Sequence, residues 1–151
     1  MAGRDRLTDI GPGGAVGRAL GMVVRRHRMV AAELLKPAGL YPGQELLMMY
    51  LWKSGPVRQA DLIRNLGIDP STVTKMLVRL EKSGHVARHT DPADRRAMLI
   101  EATPTSYELR SGIEDAWAAL ENRTVAKLDA AEHAELLRLL NKVTDALWDD
   151  E

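Results

Sequence analysis

The stretch whose reading decides the fold is DPSTVTKMLVRLEKSGHVARHTDPADRR, residues 69–96. Asp69 is a favourable N-cap, Pro70 suits the first helical position, and Gly84 follows the last periodic apolar residue as a stop, so a helix is predicted over 69–84. At about 100° per residue, Val73, Leu77 and Leu80 form an apolar stripe with Met76 beside it. Ser71, Lys75 and Val78 point the opposite way, and Thr72 and Arg79 flank them. That outer face carries hydroxyls, a Lys and an Arg, which are groups that hydrogen-bond base edges and phosphates. An ordinary solvated face has the same pattern, so the neighbouring segments decide between the two readings.

Upstream, residues 59–66 read as a short helix with Leu62, Ile63 and Leu66 apolar, and Gly67 ends it. The linker Gly67-Ile68-Asp69 has the length and the glycine of a helix-turn-helix connection. Downstream, residues 85–90 and 97–102 read as strands joined by the charged loop 91–96, DPADRR. Helix, turn, helix and charged hairpin is the order of a winged helix. The predicted fold class is therefore mainly α with a small β-hairpin: a winged helix-turn-helix over 42–102, joined to a further helical region.

The rest of the chain supplies that region. Residues 1–14 are glycine-rich with scattered charge and read as a flexible N-terminal arm. Residues 15–151 form one domain. Over 15–36, Val16, Leu20, Val23, His27, Val30 and Leu34 recur at spacings of four and three, the narrow seam of a long helix that packs on another. Pro42 is expected to open a second helix to 51 or 52, with Leu46, Leu47, Tyr50 and Leu51 inward. Thr103-Pro104 signals a long helix to about 127, and Asp129 with Glu132 resembles a capping box for a last helix to 148, seamed by Leu136, Leu140, Val143 and Leu147.

Composition narrows the function. The 151 residues include no cysteine, which excludes disulfides and thiolate chemistry, and 21 basic residues balance 21 acidic ones. The balance is local: +5 over 1–68, +2 over 69–100 and −7 over 101–151. The basic front suits a polyanion and the acidic rear would be repelled by one. With no membrane-length apolar run and no signal-peptide core, a cytoplasmic protein without a membrane partner is expected. There is no phosphate loop, HExxH, GxSxG or persuasive carboxylate pair, so neither an enzyme nor a cofactor is expected. His85 and His89, even with Asp91 or His133, show no specific ligand spacing, and no metal is assigned.

Over residues 16–148 the chain resembles the MarR family of bacterial winged-helix transcription regulators, most specifically at DPSTVTKMLVRLEKSGHVARHTDPADRRAMLIEATP, residues 69–104. The resemblance implies a homodimer whose terminal dimerisation helices, 15–36 and 104–148, interlock and present two winged helices to a palindromic operator in double-stranded DNA; the exposed apolar seams fit this, since they need a partner. It also implies a repressor released by a small-molecule effector. By helix geometry and family position together, Ser71, Thr72, Lys75 and Arg79 are the candidates for groove contact. In the wing, Arg96 matches the family's minor-groove arginine, Asp94 the carboxylate that orients it, and Arg95 a phosphate contact. Arg58, Lys82 and Arg88 are weaker phosphate candidates. For a small aromatic or apolar effector, His27, Tyr41, Met48, Trp52 and Trp117 are the candidate lining, together with Met49, and core packing is the competing reading for each. The alternative function is a winged-helix protein-interaction or ligand-binding module without DNA binding.

Overall fold

A computed structural model describes residues 14–148. The expected arm at 1–14 lies, except for Gly14, outside the described residues. The elements are α1 (Ala15–Leu35), α2 (Gln44–Ser54), β1 (Val57–Arg58), α3 (Gln59–Leu66), α4 (Pro70–Lys82), β2 (Val86–Asp91), β3 (Asp94–Ala102), α5 (Arg110–Val125) and α6 (Ala130–Trp148). Short 3-10 turns, Lys36–Ala38 and Pro104–Leu109, extend α1 and lead into α5. The mainly helical architecture with a three-stranded antiparallel sheet, ordered β1-β3-β2, is that of a winged helix.

The core sits under the helix-turn-helix. Leu47, Met48 and Leu51 of α2, Leu62 of α3, and Val73, Leu77 and Leu80 of α4 close over Val86 and Ile100 of the sheet. Each such side chain contributes about 1.5 to 3 kcal/mol by leaving water. Leu35, Leu109, Ile113 and Ala116 extend this core toward α1 and α5.

Two local expectations are corrected. Gly43, at φ 99°, is the N-cap of α2, so Pro42 lies in the preceding turn and the helix begins at Gln44. Gln44 Oε1 then accepts the Tyr41 amide at 2.8 Å and Glu45 Oε2 the Gly43 amide at 2.7 Å, which buries two polar side chains at the helix entrance. Burial pushes the Glu45 carboxyl up. α2 packs with a rotation that buries Met48 fully and leaves Leu46 exposed. The long helix from Thr103 likewise starts as a 3-10 turn, with regular α geometry only from Arg110.

Helix α6 differs from the others. Asp129 and Glu132 form the reciprocal capping box, each accepting the other's amide at 2.9 Å. Yet none of its 19 residues is buried, and Leu136, Leu140, Val143 and Leu147 stand exposed. On α1, Val16, Val23, Val24 and Met29 are exposed as well.

Candidate nucleic-acid interface

Helix α4 is built to present one face. Its Asp69 cap accepts the Thr72 amide at 2.9 Å and the Ser71 hydroxyl at 2.6 Å on Oδ1, and the Thr72 hydroxyl on Oδ2. These bonds, led by those of Ser71 and Thr72 side chains, lower the Asp69 pKa to about 2. The two hydroxyls named as groove candidates thus donate their protons within the cap and keep lone pairs for an outside donor. With Val73, Met76, Leu77 and Leu80 buried, Ser71, Lys75, Val78 and Arg79 remain exposed. Val78, 51% exposed, gives this face an apolar side chain of the kind that meets a thymine methyl. Arg79 lies over the Tyr41 ring, 4.6 Å from its centroid.

The wing is longer in strand and shorter in loop than the sequence suggested. β2 runs to Asp91 and β3 starts at Asp94, with Pro92 and Ala93 between them. The register shifts near the tip: Thr90 pairs Met98, but Asp91 pairs Asp94, which leaves Arg95, Arg96 and Ala97 without partners on β2. Such a bulge bends the strand and re-aims its side chains. Arg95 and Arg96 are both exposed there. Asp94 Oδ1 accepts the Arg96 backbone amide at 3.0 Å, so the contact between these residues runs through the main chain rather than the guanidinium. Arg58 pairs with Asp91, Nε and Nη2 lying 2.8 and 2.7 Å from Oδ2, and Arg88 pairs with Glu81 at 2.9 Å. Lys82 closes α4 and is exposed.

The five candidates for the effector lining are not brought together. Trp52 and Trp117 share a cleft of about 290 Å³ between α2 and α5, with Met49, Ile113, Lys53 and Arg110. Met48 points into the core instead, because the rotation of α2 gives the cleft wall to Met49, its neighbour about 100° around the helix. His27 lines a separate groove with Val23, Leu120 and Arg123, and Tyr41 lies beneath Arg79. Trp52 is held from two sides: its Nε1 donates to Ser106 Oγ at 2.8 Å, and its ring stacks on Tyr107 at 5.7 Å. The charged lining, Lys53, Arg110 and Glu114, with Arg110 Nε donating to Glu114 Oε1 at 3.0 Å, was missed by a search for aromatic and soft side chains, since surface charges carry no periodic signal. Among the described residues no cluster of three His, Asp or Glu is placed to hold a metal ion, and no helix is long and apolar enough to cross a membrane.

Comparison with known proteins agrees with this geometry. The MarR family model matches residues 40–98, the segment from the entrance of α2 into the wing. The repressor NicR of Pseudomonas putida is 27% identical over 131 residues, covering 87% of this chain and 83% of NicR. The regulator MgrA of Staphylococcus aureus is 28% identical over 120 residues, 80% of each chain. Among solved structures, a mutant MarR from E. coli complexed with operator DNA superposes with a TM-score of 0.76 at 26% identity, over 85% of this chain and 92% of that one. Bordetella bronchiseptica BpsR, whose DNA binding is regulated by 6-hydroxynicotinic acid, gives 0.78 at 26% identity, over 87% and 99%. The members compared are transcriptional regulators and not enzymes. The chain thus carries a match to the MarR family model at residues 40–98 on a winged-helix fold, and the relatives and structures it resembles are transcriptional regulators.

Proposed function

We propose that this protein is a sequence-specific regulator of double-stranded DNA, a homodimeric cytoplasmic repressor that leaves a palindromic operator when a small effector binds. The observation that carries the DNA reading is the division of α4: one face is locked into the core, and the other presents Ser71, Lys75, Val78 and Arg79 to solvent, with Arg95 and Arg96 exposed on the wing. In this reading Lys75 and Arg79 meet base edges or adjacent phosphates, with Ser71 and Thr72 beside them, and Arg95 meets phosphate. Arg96 enters the minor groove, where a narrow groove deepens the negative potential, and Asp94 sets its main-chain direction. The MarR structure bound to operator DNA supports the assignment.

Dimerisation is supported by α6 and α1. An amphipathic helix with no buried residue is not held by helical propensity alone, and a second copy supplies the missing packing. Residues 15–36 and 104–148 then form the dimer region, with two DNA-reading lobes over 42–102. Two recognition helices about 34 to 36 Å apart match half-sites one helical turn apart. Effector release is supported by the cleft at Trp52 and Trp117, whose aromatic and apolar walls suit a small aromatic molecule, and by the regulation of BpsR.

The test is an anisotropy titration against DNA upstream of the protein's own gene at several salt concentrations. Tight binding with a steep inverse salt dependence is expected. Absence of salt-dependent duplex binding at low ionic strength overturns the DNA reading and favours a module that binds protein or small ligand instead.

A further inference from the structure

Arg58 occupies a two-residue strand, β1, which pairs with β3 through Val57 opposite Ile100 and Arg58 opposite Leu99. Its side chain crosses to the far strand of the sheet and meets Asp91 Oδ2 with both Nε and Nη2. Asp91 stands at the base of the bulge, where the ladder leaves Arg95, Arg96 and Ala97 unpaired on β2. Its other oxygen, Oδ1, accepts the Ala93 amide at 2.8 Å and so closes the turn at the wing tip. In a wing whose residues 92–96 are all exposed, Asp91 is only 7% exposed. The contacts therefore form one line, from the strand that opens the helix-turn-helix, through Asp91, into the turn and on to the segment bearing both wing arginines.

We propose that Arg58 is a positioning residue for DNA recognition: it acts through Asp91 to fix the wing bulge, so that Arg95 and Arg96 are presented in one orientation, and it does not serve as a phosphate contact. A fixed wing lowers the ordering cost of binding, because the bulge is already set before DNA arrives. The proposal rests on the reading that the wing meets duplex DNA, and the test separates the two.

Two variants isolate the contact. Asp91→Asn keeps an oxygen for the Ala93 amide and removes the ion pair, whereas Arg58→Gln removes the partner charge. Simple electrostatics expects Asp91→Asn to tighten DNA binding, since a negative charge is lost. Positioning expects the opposite sign. Both variants should weaken operator binding about fivefold or more, the low end for loss of one specific contact, and the double variant should be little worse than either single one. In the free protein, hydrogen exchange at the Ala93 and Arg96 amides should quicken in both variants, while the α4 amides and the melting temperature stay as in the parent.

If Arg58→Gln weakens binding and lowers the salt slope by about one while Asp91→Asn binds as well as the parent or better, Arg58 is a direct phosphate contact and the proposal falls. Unchanged exchange at Ala93 and Arg96 also overturns it. Should the parent bind no duplex, the DNA reading fails on its own, and the exchange measurement still decides whether Arg58 and Asp91 hold the wing.

Discussion

Arg79 of α4 lays its guanidinium over the ring of Tyr41, 4.6 Å from the centroid, and so links the outer face of α4 to the turn before α2. An exposed pair of this kind contributes about 0.5 to 1 kcal/mol. Tyr41→Phe keeps the ring and should leave stability unchanged, whereas Tyr41→Leu should lose about that amount. A double-mutant cycle with Arg79→Leu, read by urea unfolding, checks the coupling; additive losses would show that the stacking contributes nothing.

The outer face of α4 and the wing should fail in different ways. Lys75→Ala is expected to weaken operator binding by about 1 to 3 kcal/mol if the side chain reads a base edge, and to narrow the gap between operator and scrambled duplex. Arg96→Ala should lose most on operators whose flanks are A·T-rich, because the narrow minor groove supplies the attraction. Titrations of both variants against operators with A·T-rich and G·C-rich flanks check this. Parent-like binding by both variants would show the contacts to be elsewhere.

Trp52 and Ser106 lie 54 positions apart in sequence and share a hydrogen bond of 2.8 Å. Ser106 is buried and passes its own proton to the Thr103 carbonyl at 2.6 Å. Ser106→Ala should leave the indole N–H without its acceptor and cost about 1 to 3 kcal/mol in denaturant unfolding. Adding Trp52→Phe to that variant should cost less than the sum of the two single changes, since the orphaned donor is then gone. Full additivity would count against the bond as a stabilising link.

The exposed apolar seam of α6 makes a prediction about assembly. Leu140→Glu with Val143→Glu should convert a dimer to monomers in multi-angle light scattering and abolish tight operator binding in the same samples. An unaltered mass would place the interface on another surface.

Acid should act on the cap of α4. The Asp69 carboxyl has its pKa lowered from 3.8 to about 2, so its contribution to stability is fully present above the unfolded value and is lost as the pH falls through the folded one. Compared with Asp69→Ala, the parent should be more stable at pH 5, and the difference should shrink between pH about 4 and about 2. Unfolding curves of the two proteins across that range check the sign; a gap that widens on acidification would contradict it.

Much of the winged helix was legible locally. The cap at Asp69, the proline after it, Gly67 and Gly84 are short-range signals, and α3 and α4 begin and end within about two residues of where those signals place them. The capping box of α6 and the apolar seams are equally local, because a helical period needs only the neighbours along the chain. The wing arginines were named instead from their position in the family resemblance.

What only the tertiary structure decided is which of these side chains meet. Whether Met48 or Met49 faces inward, and the division of the effector candidates between a cleft, a groove, the core and the outer face of α4, depend on how the helices pack. Arg58 read alone is a cation free to meet phosphate. In the fold it lies against Asp91, 33 positions away, because strand pairing carries β1 and β2 onto opposite edges of one sheet, across β3. Periodicity along the chain specifies which face of an element is apolar; it carries no information on which distant element that face will find, since that choice belongs to the packing of the whole core.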